Sequence, residues 1–103
     1  MRYKLNITLH ADELLENIIE YVAVQLSNKS VAISILEDVE KVYNVLEERA
    51  EAFPYCEDPF LAAKGIRKAL LARHDYVILY RIDEDTVTVE GIFHELENYS
   101  SKL

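Results

Sequence analysis

Residues 61–83, "LAAKGIRKALLARHDYVILYRID", join a segment that reads two ways to one that reads only one way. "DYVILYRI" (75–82) is rich in β-branched and aromatic residues and reads as a strand. With "TVTVEGIF" (86–93) and the acidic turn Asp83, Glu84 and Asp85 it makes a hairpin. The residues before it are ambiguous. In "LAAKGIRKALLAR" (61–73) alanine, leucine, lysine and arginine favour helix, whereas Ile66, Leu70 and Ala72 alternate only fairly against Arg67 and Arg73 as a strand. Propensity alone favours the helix.

The upstream half is clearer. "RYKLNITL" sets Tyr3, Leu5, Ile7 and Leu9 against Arg2, Lys4, Asn6 and Thr8, the two-residue period of a half-buried strand. From Ala11 the period changes: Leu15, Ile18, Ile19, Val22 and Leu26 recur at helical steps, and Asp12 and Glu13 suit the positive end of the helix dipole. "SNKS" (27–30) breaks this helix and offers N-cap hydroxyls to the next. The next helix carries an apolar stripe of Ala32, Ile35, Leu36, Val39, Val42, Tyr43, Leu46, Ala50 and Phe53, and stops before Pro54. "PYCEDPF" (54–60) reads as a loop, and "ELENYSSKL" (95–103) as a frayed turn or short helix. Two amphipathic helices and a few strands can bury their apolar sides if the helical hairpin lies across one face of a small, mainly antiparallel sheet of three or four strands. The class expected is α+β.

A chain of 103 residues with two glycines, two prolines and no repeats fits one domain, 1–103. No apolar run approaches the roughly 20 residues that span a bilayer, and the N-terminus lacks the apolar run of a signal peptide, so a cytoplasmic protein without a membrane partner is expected. Cys56 is the only cysteine, and neither His10 nor His74 has partners at metal-ligand spacing, so no metal and no cofactor are expected. Nineteen acids against eleven bases leave a formal charge of −8, which works against binding a polyanion over the whole surface. Lys64, Arg67, Lys68 and Arg73, however, fall within ten residues free of acids, and an acidic partner would dock there if anywhere.

The order of elements and several local motifs resemble the RelE/ParE toxins of bacterial and archaeal toxin–antitoxin modules over nearly the whole chain. The likeness rests on "ADELLENIIEYVAVQL" after a first strand, on the long second helix ending at a proline-containing loop, on "GIRKALLARHDYVILYRID", and on the closing "IFHELENY". It implies that residues from about Ile66 to Ala72 form a strand beside "DYVILYRI" despite their helical propensity. It also implies a cognate antitoxin whose partly disordered segment folds onto the helical hairpin and the sheet, covering the 64–73 bases.

The family divides into gyrase-directed toxins of ParE type and ribosome-dependent messenger RNA nucleases of RelE type. Cleavage at a 2′-hydroxyl needs a group to accept that proton, cations against the charge growing on the phosphate, and an acid for the leaving oxygen. The resemblance assigns such work to Arg67, Lys68, His94 and Tyr99; the candidate binding residues are the bases of the 64–73 segment, Lys64, Arg67, Lys68 and Arg73, together with Arg81. Two departures weigh against it. Val77 stands where the nucleases carry an arginine after the strand's aromatic residue, and valine can neither donate a hydrogen bond nor offset charge. Glu95 and Glu97 follow His94 where bases are usual. Arg81, four residues beyond Val77, either substitutes for the missing cation or pairs with Asp83, Asp85 or Glu90. The first expectation is therefore a ParE-like toxin that works by binding a gyrase-class target, so that an enzyme is not the leading reading. An endoribonuclease and a degenerate member that keeps only antitoxin binding remain as alternatives, and the oligomeric state is open.

Overall fold

A computed structural model describes residues 2–103. The first strand, β1 (Lys4–Ile7), leads into helix α1 (Leu9–Glu20), which continues as a π-helical turn over Tyr21–Gln25. Helix α2 (Lys29–Arg49) runs back and ends in a 3-10 turn at Ala50–Ala52. A short helix α3 (Pro59–Ala63) precedes strands β2 (Arg67–Leu70), β3 (Tyr76–Asp83) and β4 (Thr86–His94), and a 3-10 turn closes the chain at Tyr99–Lys102. The strands lie in the order β1-β4-β3-β2, with β1 parallel to β4 and the other pairs antiparallel. This is the α+β arrangement expected, including the strand beside "DYVILYRI". No helix among the described residues is long and apolar enough to cross a membrane.

Local chemistry moves several boundaries. Leu9 does not extend the first strand: the Thr8 hydroxyl accepts the Ala11 N–H at 3.1 Å, so the helix starts two residues before Ala11 and leaves Leu9 74 % exposed. The cap of α2 is the carboxamide oxygen of Asn28, which accepts the Val31 N–H at 3.2 Å, and not a serine hydroxyl. Its helical geometry stops at Arg49, before Phe53. The ambiguous segment divides. Asp58 caps Phe60 and Leu61, making Pro59–Ala63 a short helix that takes the end of the expected loop and the start of the ambiguous segment, and Gly65 at φ +79° turns the chain into β2.

β3 is the central element, with Val77, Ile78, Leu79 and Tyr80 all fully buried. Ile78 and Tyr80 face the helices with Val39, Val42, Leu46 and Ala50, while Val77 and Leu79 face the opposite side with Phe93, Ile66, Leu61 and Cys56. Each such side chain contributes about 1.5–3 kcal/mol relative to exposure. The pairing shifts between Leu79↔Gly91 and Tyr80↔Val89, leaving Glu90 as an extra residue in β4. Val87 and Val89 before this bulge, and Ile92 after it, consequently point to the same helical side. The second face is closed by α3 and by the C-terminal segment, through Tyr99 and Leu103. The Tyr80 hydroxyl donates to the Ala50 carbonyl at 2.5 Å, and burial pushes its pKa up to about 12. No buried side-chain nitrogen or oxygen among the described residues lacks a partner.

Gly91 sits where the bulge returns to regular pairing, beneath the Phe93 ring. A β-carbon there would lie 2.7 Å from Phe93 Cε2 and 3.2 Å from Leu14 Cδ1, and Phe93 is itself buried. Gly91→Ala is expected to destabilise by about 1–3 kcal/mol through overpacking. A thermal melt should show this as a fall of roughly 5–15 °C, and an unchanged melting temperature would mean that the ring moves aside freely.

Candidate functional site at the open end of the sheet

Tyr76 and His94 are cross-strand partners where β3 begins and β4 ends. Their rings meet edge to face, 5.5 Å between centroids, and the pair forms a wall shared by two cavities. One cavity, about 270 Å³, lies against α1 with Leu14, Ile18 and Ile92 as apolar lining and Tyr21, Glu97 and Lys102 at its rim. The other, about 280 Å³, lies under the α1–α2 turn against Val22, Val31 and Ile35, with Arg73, His74 and Asp75 on its polar side. The helical period on α1 and the strand period on β3 and β4 create this groove, because both elements direct side chains into the gap where β1 has already ended.

Hydrogen bonds hold the His94 end. The His94 N–H donates to Glu97 Oε1 at 2.9 Å, and His94 Nδ1 accepts the Leu96 N–H at 3.2 Å, which leaves Nε2 to carry the proton of the neutral ring. Lys102 Nζ donates to Glu97 Oε2 at 2.5 Å, and this bond, with the His94 N–H, holds the Glu97 carboxyl below the usual carboxylate range. Burial, then the neighbouring Glu97, push the Tyr76 phenol up. The site offers one imidazole, an aromatic wall and a carboxylate already engaged by lysine.

The loop between β2 and β3 is anchored through Asp38, whose side chain is fully buried on α2. Its carboxylate accepts from the Arg73 backbone N–H and from Arg73 Nε, both at 2.8 Å, while the guanidinium also reaches Glu37 at 3.2 Å. Burial alone would raise the Asp38 pKa, but the bonds and charge of Arg73 outweigh it and hold it below the usual range. His74 Nε2 lies 2.8 Å from the Ser34 hydroxyl and completes the attachment of the loop to α2.

The residues singled out from the sequence do not converge on His94. Arg67 pairs with Tyr80 and His94 with Tyr76, a separation of about 13 Å along the sheet and two strand spacings, about 10 Å, across it. The Arg67 guanidinium lies 4.1 Å over the Tyr55 ring and donates to the Phe53 carbonyl at 2.7 Å. Lys68 is on the opposite face, its side chain 16 % exposed and paired with Glu57 at 3.5 Å. Tyr99 is on that second face too, stacked on Phe93 at 5.9 Å. Lys64 lies 4.3 Å over the Phe60 ring. Arg81 holds Asp83 and, at 3.2 Å, Glu90. Of the basic segment only Arg73 reaches the His94 end, and there it is bound to Asp38. The 64–73 bases are thus engaged one by one in separate directions and do not form a shared patch.

Asp38 and Tyr76 were not singled out. Asp38 stands three residues after Ile35 and four before Val42, so its position on the buried stripe was a legible signal. Among the described residues no group of three His, Cys, Asp or Glu side chains could hold a metal ion.

Comparison with known proteins adds a family. The family described as "ParE toxin of type II toxin-antitoxin system, parDE" matches residues 5–99. Among solved structures, the chain is similar to one from the chromosomal ParDE toxin–antitoxin system of P. aeruginosa: TM-score 0.72, 20 % identity, 90 % of this chain and 96 % of that one covered. It is also similar to one from the RelBE2 toxin–antitoxin complex of Mycobacterium tuberculosis: TM-score 0.61, 19 % identity, 94 % and 95 % covered. At these identities the likeness to solved structures concerns the fold. No curated protein sequence matches the chain.

The Asp38 attachment gives a pH-dependent expectation. A carboxyl with a depressed folded pKa contributes stability that is fully present above its unfolded value, about 3.9, and is lost as pH falls through the folded value. Asp38→Asn should therefore destabilise by about 2–3 kcal/mol at pH 7. In urea melts this gap should close as the pH is lowered below about 4; a gap that persists undiminished at the lowest pH would assign the effect to packing instead.

Proposed function

The chain belongs to the ParE toxin family of type II toxin–antitoxin systems, and from that premise we propose that it acts by binding a cellular target of the gyrase class and is neutralised by a cognate antitoxin. The observation that carries the proposal is the environment of Val77. It is fully buried on the second face of the sheet, in a cluster with Phe93, Cys56 and Leu61 against which Tyr99 and Leu103 pack. An arginine at this point would place its charge inside an apolar layer, at a cost of several kcal/mol. The layer also occupies Tyr99, while Arg67 and His94 lie toward the opposite face. General acid–base cleavage needs its groups within hydrogen-bond reach of one scissile bond, and this distribution supports binding over ribonuclease action. The antitoxin reading is supported by the family and by the two similar structures, both from toxin–antitoxin systems.

Induced expression in bacteria, with and without a co-expressed antitoxin of ParD type, tests the proposal. Growth arrest with gyrase-dependent DNA breaks, intact transcripts and rescue by the antitoxin is expected, and Arg67→Ala with Lys68→Ala should leave transcript integrity unchanged. Cleavage of translated messages that this double variant abolishes would make the protein a ribonuclease. Binding of the antitoxin without any growth defect would make it a member that has kept only its antitoxin surface.

A further inference from the structure

Between α1 and the end of the β3–β4 hairpin, the cavity of about 270 Å³ has an apolar floor, with Leu14 and Ile18 from α1 and Ile92 from β4. An apolar cavity of about 150 Å³ holds benzene, so this one has room for a two-ring aromatic molecule. The polar groups around it divide into engaged and free. Glu97 is engaged at both oxygens, by the His94 N–H and by Lys102. His94 Nδ1 is engaged by the Leu96 N–H, so the neutral ring keeps its Nε2–H as a donor. That donor, the Asn17 carboxamide and the hydroxyls of Tyr21 and Tyr76 line the cavity without a side-chain partner among the described residues. No buried polar side-chain atom among those residues is unpartnered, so these groups open onto the cavity or the solvent beyond it. The backbone is unusual at the same place. The Leu26 N–H donates to the Tyr21 carbonyl, five residues back, at 3.0 Å, in the π-helical turn that ends α1. That winding is rare and occurs frequently at functional sites. Tyr21, its first residue, is 55 % exposed at the cavity rim.

We propose that this cavity binds an uncharged two-ring aromatic small molecule with a hydrogen-bond acceptor at its edge, a carbonyl oxygen or a ring nitrogen that receives the His94 Nε2–H. The floor and the Tyr76–His94 wall favour an aromatic ring, since Leu14, Ile18 and Ile92 offer apolar contact and the two wall rings offer edge and face. Charge is disfavoured in either sign. The Glu97–Lys102 pair is closed on itself, so a charged ligand would leave water without gaining a free counter-ion. The acceptor follows from the free groups: the imidazole and both phenols can donate, and a ligand without an acceptor would leave the Nε2–H unpaired. The same requirement separates a small molecule from an aromatic anchor of a protein partner. A tryptophan ring only donates, and a phenylalanine ring does neither. The neighbouring cavity under the α1–α2 turn suits such a ligand less well, because Arg73 and Asp75 stand on its polar side and His74 Nε2 is already held by Ser34. The site is independent of the toxin's protein partners.

The chain contains no tryptophan, so the fluorescence of an added indole, excited beyond the tyrosine band, reports its own burial without background. Indole-3-carboxamide, indole-3-carboxylate and plain indole share the ring and differ only in the edge group. The carboxamide is expected to bind saturably, one molecule per chain, with blue-shifted emission and at least about tenfold more tightly than either of the others. His94→Asn keeps an acceptor for the Leu96 N–H and removes the Nε2 donor. It should weaken the carboxamide about tenfold and leave plain indole unchanged. Tyr21→Ala, at an exposed position, is a second variant that does not disturb the 94–97 turn, and it should weaken the carboxamide about threefold to tenfold. Circular dichroism checks the folding of both. In amide shift maps of the full chain, the largest changes should fall in 14–21, at 76 and in 92–97. Equal affinity for the three ligands would be unspecific apolar adsorption and would overturn the proposal. So would tighter binding of the carboxylate, carboxamide binding that neither substitution changes, shifts centred on Val31, Ile35 and His74, or no saturable binding at millimolar concentration.

Discussion

The extra residue in β4 opposite the Leu79–Tyr80 step sets which side chains each face of the sheet presents. Strict alternation would turn Ile92 away from the helices once Val87 and Val89 faced them. With Glu90 inserted, Val87, Val89 and Ile92 all meet α1 and α2, and Phe93 is delivered to the opposite face with Val77 and Leu79. A sheet this small is then apolar on both sides, so the second side must also be covered. The segments that cover it, α3 and the Tyr99–Leu103 end, are those that look least structured by composition.

Most of the architecture could be read from period. The helices followed the three- and four-residue recurrence of Leu15, Ile19 and Val22 and of Ile35, Val39 and Val42, and the β3–β4 hairpin followed its β-branched and aromatic content. Less visible were features set by partners distant in the chain. "RKAL" is a strand because β3 offers it a ladder in which Ala69 packs with no exposure, a tertiary gain that outweighs helical propensity. Leu9 looked like a strand residue because its alternation is real, yet the Thr8 cap claims the backbone first. The burial of Val77 could not be read at all: a valine in an apolar strand carries no mark of whether its far face meets solvent or a second layer.

The candidate site was legible by residue type and not by placement. Arginine, lysine, histidine and tyrosine occur in a suggestive order, but order along a strand alternates faces, and Arg67 and Lys68 as neighbours are bound to part. What the sequence left unseen was the use of each cation at home. Arg73 neutralises the one fully buried carboxylate on α2, Lys68 meets Glu57, and Arg67 and Lys64 lie over rings. A buried Asp38 without Arg73 would be an uncompensated charge, so Arg73 cannot be released to a ligand without loosening the loop that bears Asp75 and leads into Tyr76.

That engagement changes what the net charge of −8 means. A uniformly acidic chain with four free bases in one segment would still present a positive site at close range, where screening over about 8 Å isolates local patches from the total. Here Lys68 and Arg73 meet carboxylates within a few ångströms, while Lys64 and Arg67 keep their charge but lie over separate rings, Phe60 and Tyr55. A polyanion approaching the molecule therefore finds two of the four bases already paired and the other two held apart on different elements, so that the segment's cluster of charge along the sequence does not become a cluster in space.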